Sequence, residues 1–147
     1  MAYLLQTKTV VPPVSSRHTH RRRLVQQIDA AQDARLVLVS APAGSGKTSC
    51  LAEWAHTARQ AGTRVAWYAL DAQDNDPARF AAYLCQAFAV ADTAFDLSGE
   101  PAQPVDLESA AAVILNTVMQ QGAPYALVLD DYHLITAPQI HHVISMM

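Results

Sequence analysis

The chain has 147 residues, 51% of them apolar, and a formal net charge of −3. It is long enough for one domain with a real core and too apolar for a disordered segment, and its mild negative charge gives it no general attraction to nucleic acid or anionic membrane. No apolar run approaches the ~18 residues of a membrane-spanning helix. Cys50 and Cys85 are far apart, lack metal-ligand spacing, and read as reduced core thiols of a cytoplasmic protein.

Residues 1–20 show no hydrophobic periodicity and read as an extended lead-in to a domain over 21–147. No acid precedes Asp29, and Arg17, Arg21, Arg22 and Arg23 cluster with His18 and His20. A transit peptide or a nucleic-acid arm has such a composition, but Pro12-Pro13 breaks any amphipathic helix across it. A solvated or nucleotide-adjacent segment is the third reading. A helix is expected from about Arg22 to Ala34, with Leu24, Val25 and Ile28 inward.

Arg35-Leu-Val-Leu-Val-Ser40 is an apolar run fit for a buried parallel strand. It leads into Ala41-Pro-Ala-Gly-Ser-Gly-Lys-Thr48, after which Cys50, Leu51, Trp54, Ala55 and Ala58 recur at helical spacing. Strand, glycine-rich turn and helix in that order make a phosphate-binding loop, the Walker A pattern. Backbone N–H groups of the turn and of the helix start converge on an anion. The candidate nucleotide contacts are Ala43, Gly44, Ser45, Gly46, Lys47, Thr48 and Ser49. Lys47 would reach the β- and γ-phosphates, and Thr48 would ligate Mg²⁺. The pattern's first glycine is Ala41 here, tolerable where φ is negative.

Gly62 fits the C-terminal end of the loop helix, and Arg64–Leu70 reads as a second strand. Asp76-Pro77 is a helix cap with proline at the first helical position, and Phe80, Tyr83, Leu84, Ala87, Phe88 and Ala91 form the inner face that follows. A Pro-, Asp- and Gly-rich loop over 92–105 precedes Asp106, which caps a helix whose inner face is Leu107, Ala111, Ile114, Leu115 and Val118. Tyr125–Asp130 is a third apolar strand, ending on Asp130-Asp131 as a Walker B strand does. Asp130 is the candidate metal ligand beside Thr48, and Asp131 the candidate catalytic acid that orients or deprotonates water. Two solvated turn aspartates are the plainer alternative. His133 reads as a hydrogen-bonded loop residue, and His141 and His142 cannot share a helical face.

Alternating helices and strands predict an α/β fold, a P-loop NTPase three-layer sandwich with a parallel sheet. Phosphate loop and acid pair each follow a strand's carboxyl end, where such sheets bind ligands.

Four stretches resemble the ATP-binding module of the large LuxR-family transcriptional regulators of the STAND (NOD-type) class, which include the activator of the maltose regulon. They are Thr7-Lys8 with Pro12-Pro13 and Arg21-Arg-Arg-Leu24, then Leu38–Thr48 with Leu51-Ala-Glu-Trp54. Leu70-Asp71 with Asp74-Asn-Asp-Pro-Ala-Arg-Phe80, and Leu127-Val-Leu-Asp-Asp-Tyr-His-Leu-Ile135, complete the set. The resemblance implies a switch that holds ADP when idle and exchanges it for ATP when an inducer binds a downstream repeat domain. Self-association through the ATPase domains and DNA binding by a C-terminal helix-turn-helix follow. Slow hydrolysis in the full-length protein is compatible with it. Arg21 and Arg23 match a segment that encloses the nucleotide in such proteins, with a solvated basic patch as the alternative. Asp71 matches a position near the crevice, and a strand-end turn explains it equally well.

The resemblance also implies a further strand between the first and third, so the chain reads as a partial ATPase domain truncated after its metal-binding strand. Without a recognition-helix pattern, this segment alone is not expected to bind DNA sequence-specifically. Two alternatives remain: a small P-loop phosphotransferase, in which the first and third strands pair directly, and a remnant without independent activity.

Overall fold

A computed structural model describes residues 4–17, 19–31, 33–93 and 106–147. His18 and nearly all of the loop at 92–105 lie outside the described residues. The chain separates into two compact units, one formed by Val11–Thr63 and the other by Met1–Val10 with Arg64–Met147.

In the first unit, α1 (Arg22–Ala30) precedes α2 (Lys47–Gln60). α1 stops four residues before the expected end, and only Val25 of its expected inner face is buried. Leu24 is exposed. α2 buries Cys50, Ala52, Trp54, Ala55 and Ala58, and Gly62 follows it with φ of +96°. Burial pushes both the Cys50 and the Cys85 thiol up, which makes them poor nucleophiles, in keeping with core thiols.

The strand expected at 35–40 is not formed. Residues 36–40 have no regular structure and stand outside the sheet. Leu36 is 79% and Leu38 83% exposed. A parallel strand exists through its ladder, and among the described residues this segment has no ladder partner. An apolar run signals a strand's composition without supplying its neighbours.

The second unit holds β1 (Arg64–Ala69) and β2 (Tyr125–Asp130), paired parallel with Arg64 opposite Tyr125 and Ala69 opposite Asp130. Between them run α3 (Pro77–Ala91) and α4 (Leu107–Gln121), and α5 (Pro138–Met146) follows β2. The helix ends are set by local chemistry. Asp76 accepts from the Arg79 N–H at 2.9 Å and Asp106 from the Ser109 N–H at 2.9 Å, while Gly122 closes α4 at φ +63°. β1 is buried on both faces, and its Tyr68 ring lies 5.2 Å from Phe80 and 5.5 Å from Tyr83. Phe80, Leu84, Ala87 and Ile114 complete a buried core.

A charge cluster is built into this core. Lys8 ends a short 3₁₀ turn (Gln6–Lys8), and its ammonium pairs with Asp74, which is fully buried, and with Asp71 at 2.8 Å. Arg79 Nε donates to Asp74 Oδ1 at 2.9 Å. Asp74 also accepts the Asp71 N–H at 2.8 Å, while Asp71 accepts that of Gln73 at 2.8 Å, a reciprocal cap on the 3₁₀ turn Ala72–Asn75. The Lys8 ammonium lies 4.7 Å from the centre of the Tyr83 ring, whose hydroxyl accepts the Leu5 N–H at 3.1 Å. These bonds anchor residues 5–8 of the lead-in.

The hydrogen bond from Lys8 holds the Asp71 carboxyl below the usual range. A depressed folded pKa stabilises the protein above the unfolded value of about 3.9, and this stabilisation is lost as pH falls through the lower folded value. Acid titration followed by circular dichroism should therefore show a loss of structure beginning below about pH 4 that is shallower in Asp71→Asn. Superimposable acid limbs would contradict this.

Candidate functional site

The turn before α2 is shaped by two glycines at positive φ, Gly44 at +77° and Gly46 at +83°. No L side chain adopts these values cheaply, so glycine is required at both. The Ser45 N–H donates to the Pro42 carbonyl at 3.2 Å, and Gly46 caps α2, its carbonyl accepting the Cys50 N–H at 3.0 Å. Lys47 is the first residue of α2, and its ammonium donates to the carbonyls of Ala41 at 2.5 Å and Pro42 at 3.2 Å. The side chain thus folds back across the loop. Thr48 follows on the first turn, exposed, with Ala43 exposed before the glycines and Ser49 half-buried.

The Ser45 hydroxyl is buried without a hydrogen-bond partner. An unsatisfied buried hydroxyl costs about 1–3 kcal/mol, which an accepting phosphate oxygen would recover. The N–H groups of a helix start, a lysine and this hydroxyl together suit a polyphosphate.

Arg21, the residue before α1, lies against the same turn. Its Nη2 is 3.5 Å from where a Cβ on Gly46 would stand. Arg23 is exposed on α1. Of the two arginines singled out in the sequence, the structure brings Arg21 to the loop.

The acid pair belongs to the other unit. Asp130 ends β2 and is buried, its carbonyl accepting the Leu70 N–H at 3.0 Å. Asp131 is exposed and sits at φ +60° and ψ +33°, the only non-glycine residue at positive φ among the described residues. A left-handed aspartate costs on the order of 1 kcal/mol. His133 Nδ1 is 4.0 Å from Asp131, and the Tyr132 hydroxyl bonds His141 Nδ1 at 2.7 Å. Among the described residues no three His, Cys, Asp or Glu side chains form a metal-binding group.

Asn75 fixes the turn that carries Asp131. Its Oδ1 accepts from the Thr136 N–H at 2.7 Å and the Ala137 N–H at 2.9 Å, and its Nδ2 donates to the Leu134 carbonyl at 2.9 Å. Asp74, Asn75 and Lys8 had no assigned role in the sequence. Their signal was a run of acids and amide directly after a strand, facing a lysine in an otherwise acid-free lead-in.

A glycine-punctuated turn that feeds a lysine and a threonine into a helix start is a P-loop site, and the fold class of the chain is α/β. The chain belongs to the AAA ATPase domain family, which matches residues 13–146. It is 39% identical over 135 residues to the HTH-type transcriptional regulator MalT of Cronobacter sakazakii (strain ATCC BAA-894), a match covering 88% of this chain and 14% of that protein. The chain therefore spans about a seventh of the relative's length. Both findings bear out the resemblance carried by the four sequence stretches. No helix among the described residues is long and apolar enough to cross a membrane.

Proposed function

We propose that this protein binds ADP and Mg²⁺-ATP as the nucleotide-switch module of a signal-responsive, cytoplasmic transcriptional regulator, with residues 1–20 as lead-in and 21–147 as part of its ATPase domain. The observation that carries the reading is the loop over 41–48, where Lys47, the buried Ser45 hydroxyl and two positive-φ glycines surround the start of α2. The backbone of the loop from Ala43 to Ser49 wraps the phosphates, with N–H groups other than that of Ser45 as donors, Lys47 exchanges its carbonyl bonds for phosphate oxygens, and Arg21 encloses them from the start of α1.

The Thr48 hydroxyl and the Asp130 carboxylate are each hard oxygen donors of the kind Mg²⁺ takes. When bound, the ion would neutralise negative charge on the phosphates. Asp131 holds the hydrolytic water. Its strained backbone supports this role, since such strain concentrates at functional positions. Hydrolysis is slow and serves to reset the switch. Self-association through ATPase domains and DNA binding elsewhere in a longer protein complete the proposal by analogy with the relative's description as a regulator.

Two substitutions separate the acids. Asp130→Asn should weaken Mg²⁺-dependent ATP binding, whereas Asp131→Asn should preserve binding and abolish hydrolysis. Equilibrium binding with and without Mg²⁺, beside a phosphate-release assay, reads both. Identical behaviour of the two variants in both assays would refute this division of roles.

A further inference from the structure

Glu53 has no role in the reading above, yet it lies between the two parts of the nucleotide site that share a unit. It stands seven residues after Gly46, two turns along α2, and therefore on the same face of that helix as the end of the phosphate loop. Its side chain is only 14% exposed. One carboxylate oxygen accepts from His20 Nδ1 at 3.0 Å and the other faces the Arg21 N–H at 3.4 Å, at the start of α1. That start has no side-chain cap of its own. A carboxylate placed there meets the positive end of the α1 dipole. The Cys50 thiol, midway between Gly46 and Glu53, is raised first by burial, and it also feels Glu53 raising it and Arg21 lowering it.

We propose that Glu53 is a positioning residue for Arg21: its carboxylate holds the His20–Arg21 backbone against α2, so that the Arg21 guanidinium stays beside Gly46 and meets the phosphates of a bound nucleotide. The inference rests on the assignment of Arg21 as a nucleotide contact. Arginine carries several rotatable bonds, and a fixed backbone anchor lowers the entropy lost when its fork closes on an anion. Glu53 acts through Arg21 and does not itself touch the nucleotide, which its charge would repel.

The test is a double-mutant cycle read as ADP affinity by calorimetry, with Arg21→Ala, Glu53→Ala and the pair, each checked for an unchanged thermal transition. Arg21→Ala should weaken ADP by about tenfold and Glu53→Ala by about threefold to tenfold, with the double variant no weaker than Arg21→Ala alone. Should Glu53→Ala not fold, Glu53→Gln, which keeps the shape and loses the charge, takes its place in the cycle with a smaller loss. Additive losses would show that Glu53 acts independently of Arg21 and overturn the proposal. An unchanged affinity in Glu53→Ala or Glu53→Gln beside a weakened Arg21→Ala would overturn it and leave the nucleotide assignment of Arg21 standing. An unchanged affinity in Arg21→Ala would instead remove the assignment on which the proposal rests.

Discussion

Asp74→Ala should destabilise the protein by about 3 kcal/mol or more, the cost of breaking a buried ion pair from one side. Asp74 is fully buried and joins three groups: the Lys8 ammonium, Arg79 Nε and the Asp71 N–H. Its removal leaves Lys8, 8% exposed, with Asp71 as its remaining carboxylate. Arg79, a third exposed, can turn to water, which keeps the loss near the lower end of the range for such pairs. Asp74→Asn should cost less, because an amide oxygen still accepts the backbone N–H. Asp106→Ala, which removes only an exposed helix cap, should cost about 1 kcal/mol and serves as the scale. Urea unfolding followed by circular dichroism measures all three. A loss in Asp74→Ala no larger than that in Asp106→Ala would mean that the cluster is not a closed buried network.

The helices of the second unit were legible in the sequence because their ends depend on neighbours in the chain. Asp76-Pro77, Asp106 and Gly122 act within three residues of the positions they set, and the structure shows each in its expected place. The phosphate loop was legible for the same reason, since two glycines, a lysine and a threonine define its chemistry locally. Contacts between distant residues were not. Lys8 and Asp74 are 66 positions apart, and Glu53 is 32 from Arg21, so no periodicity links them. The run at 35–40 shows the reverse error, a correct reading of composition without the partner that makes a strand. Asn75 lay inside a recognised stretch, but its four hydrogen bonds to the backbone of residues 72 and 134–137 emerge only from the folded turn.

The second large effect concerns Lys47. Its ammonium already occupies the loop, bonded to the Ala41 and Pro42 carbonyls, so a nucleotide replaces two ammonium–carbonyl bonds with a contact in which both partners are charged. Hydrogen bonds to charged groups contribute about 1.5–3 kcal/mol, which corresponds to roughly tenfold or more in affinity. Lys47→Ala deletes that contact and leaves the positive-φ glycines and the start of α2 in place. The variant should therefore fold as the unsubstituted protein does and lose only phosphate affinity. The loss should be larger for ATP than for ADP if, as proposed, the lysine reaches both the β- and γ-phosphates.

Calorimetric titration of ADP and Mg²⁺-ATP into the protein and into Lys47→Ala tests the central claim most directly. The account predicts saturable binding of both nucleotides to the unsubstituted protein and at least about tenfold weaker binding to the variant. Equal affinities in the two proteins, or no nucleotide binding by the folded unsubstituted protein, would contradict it.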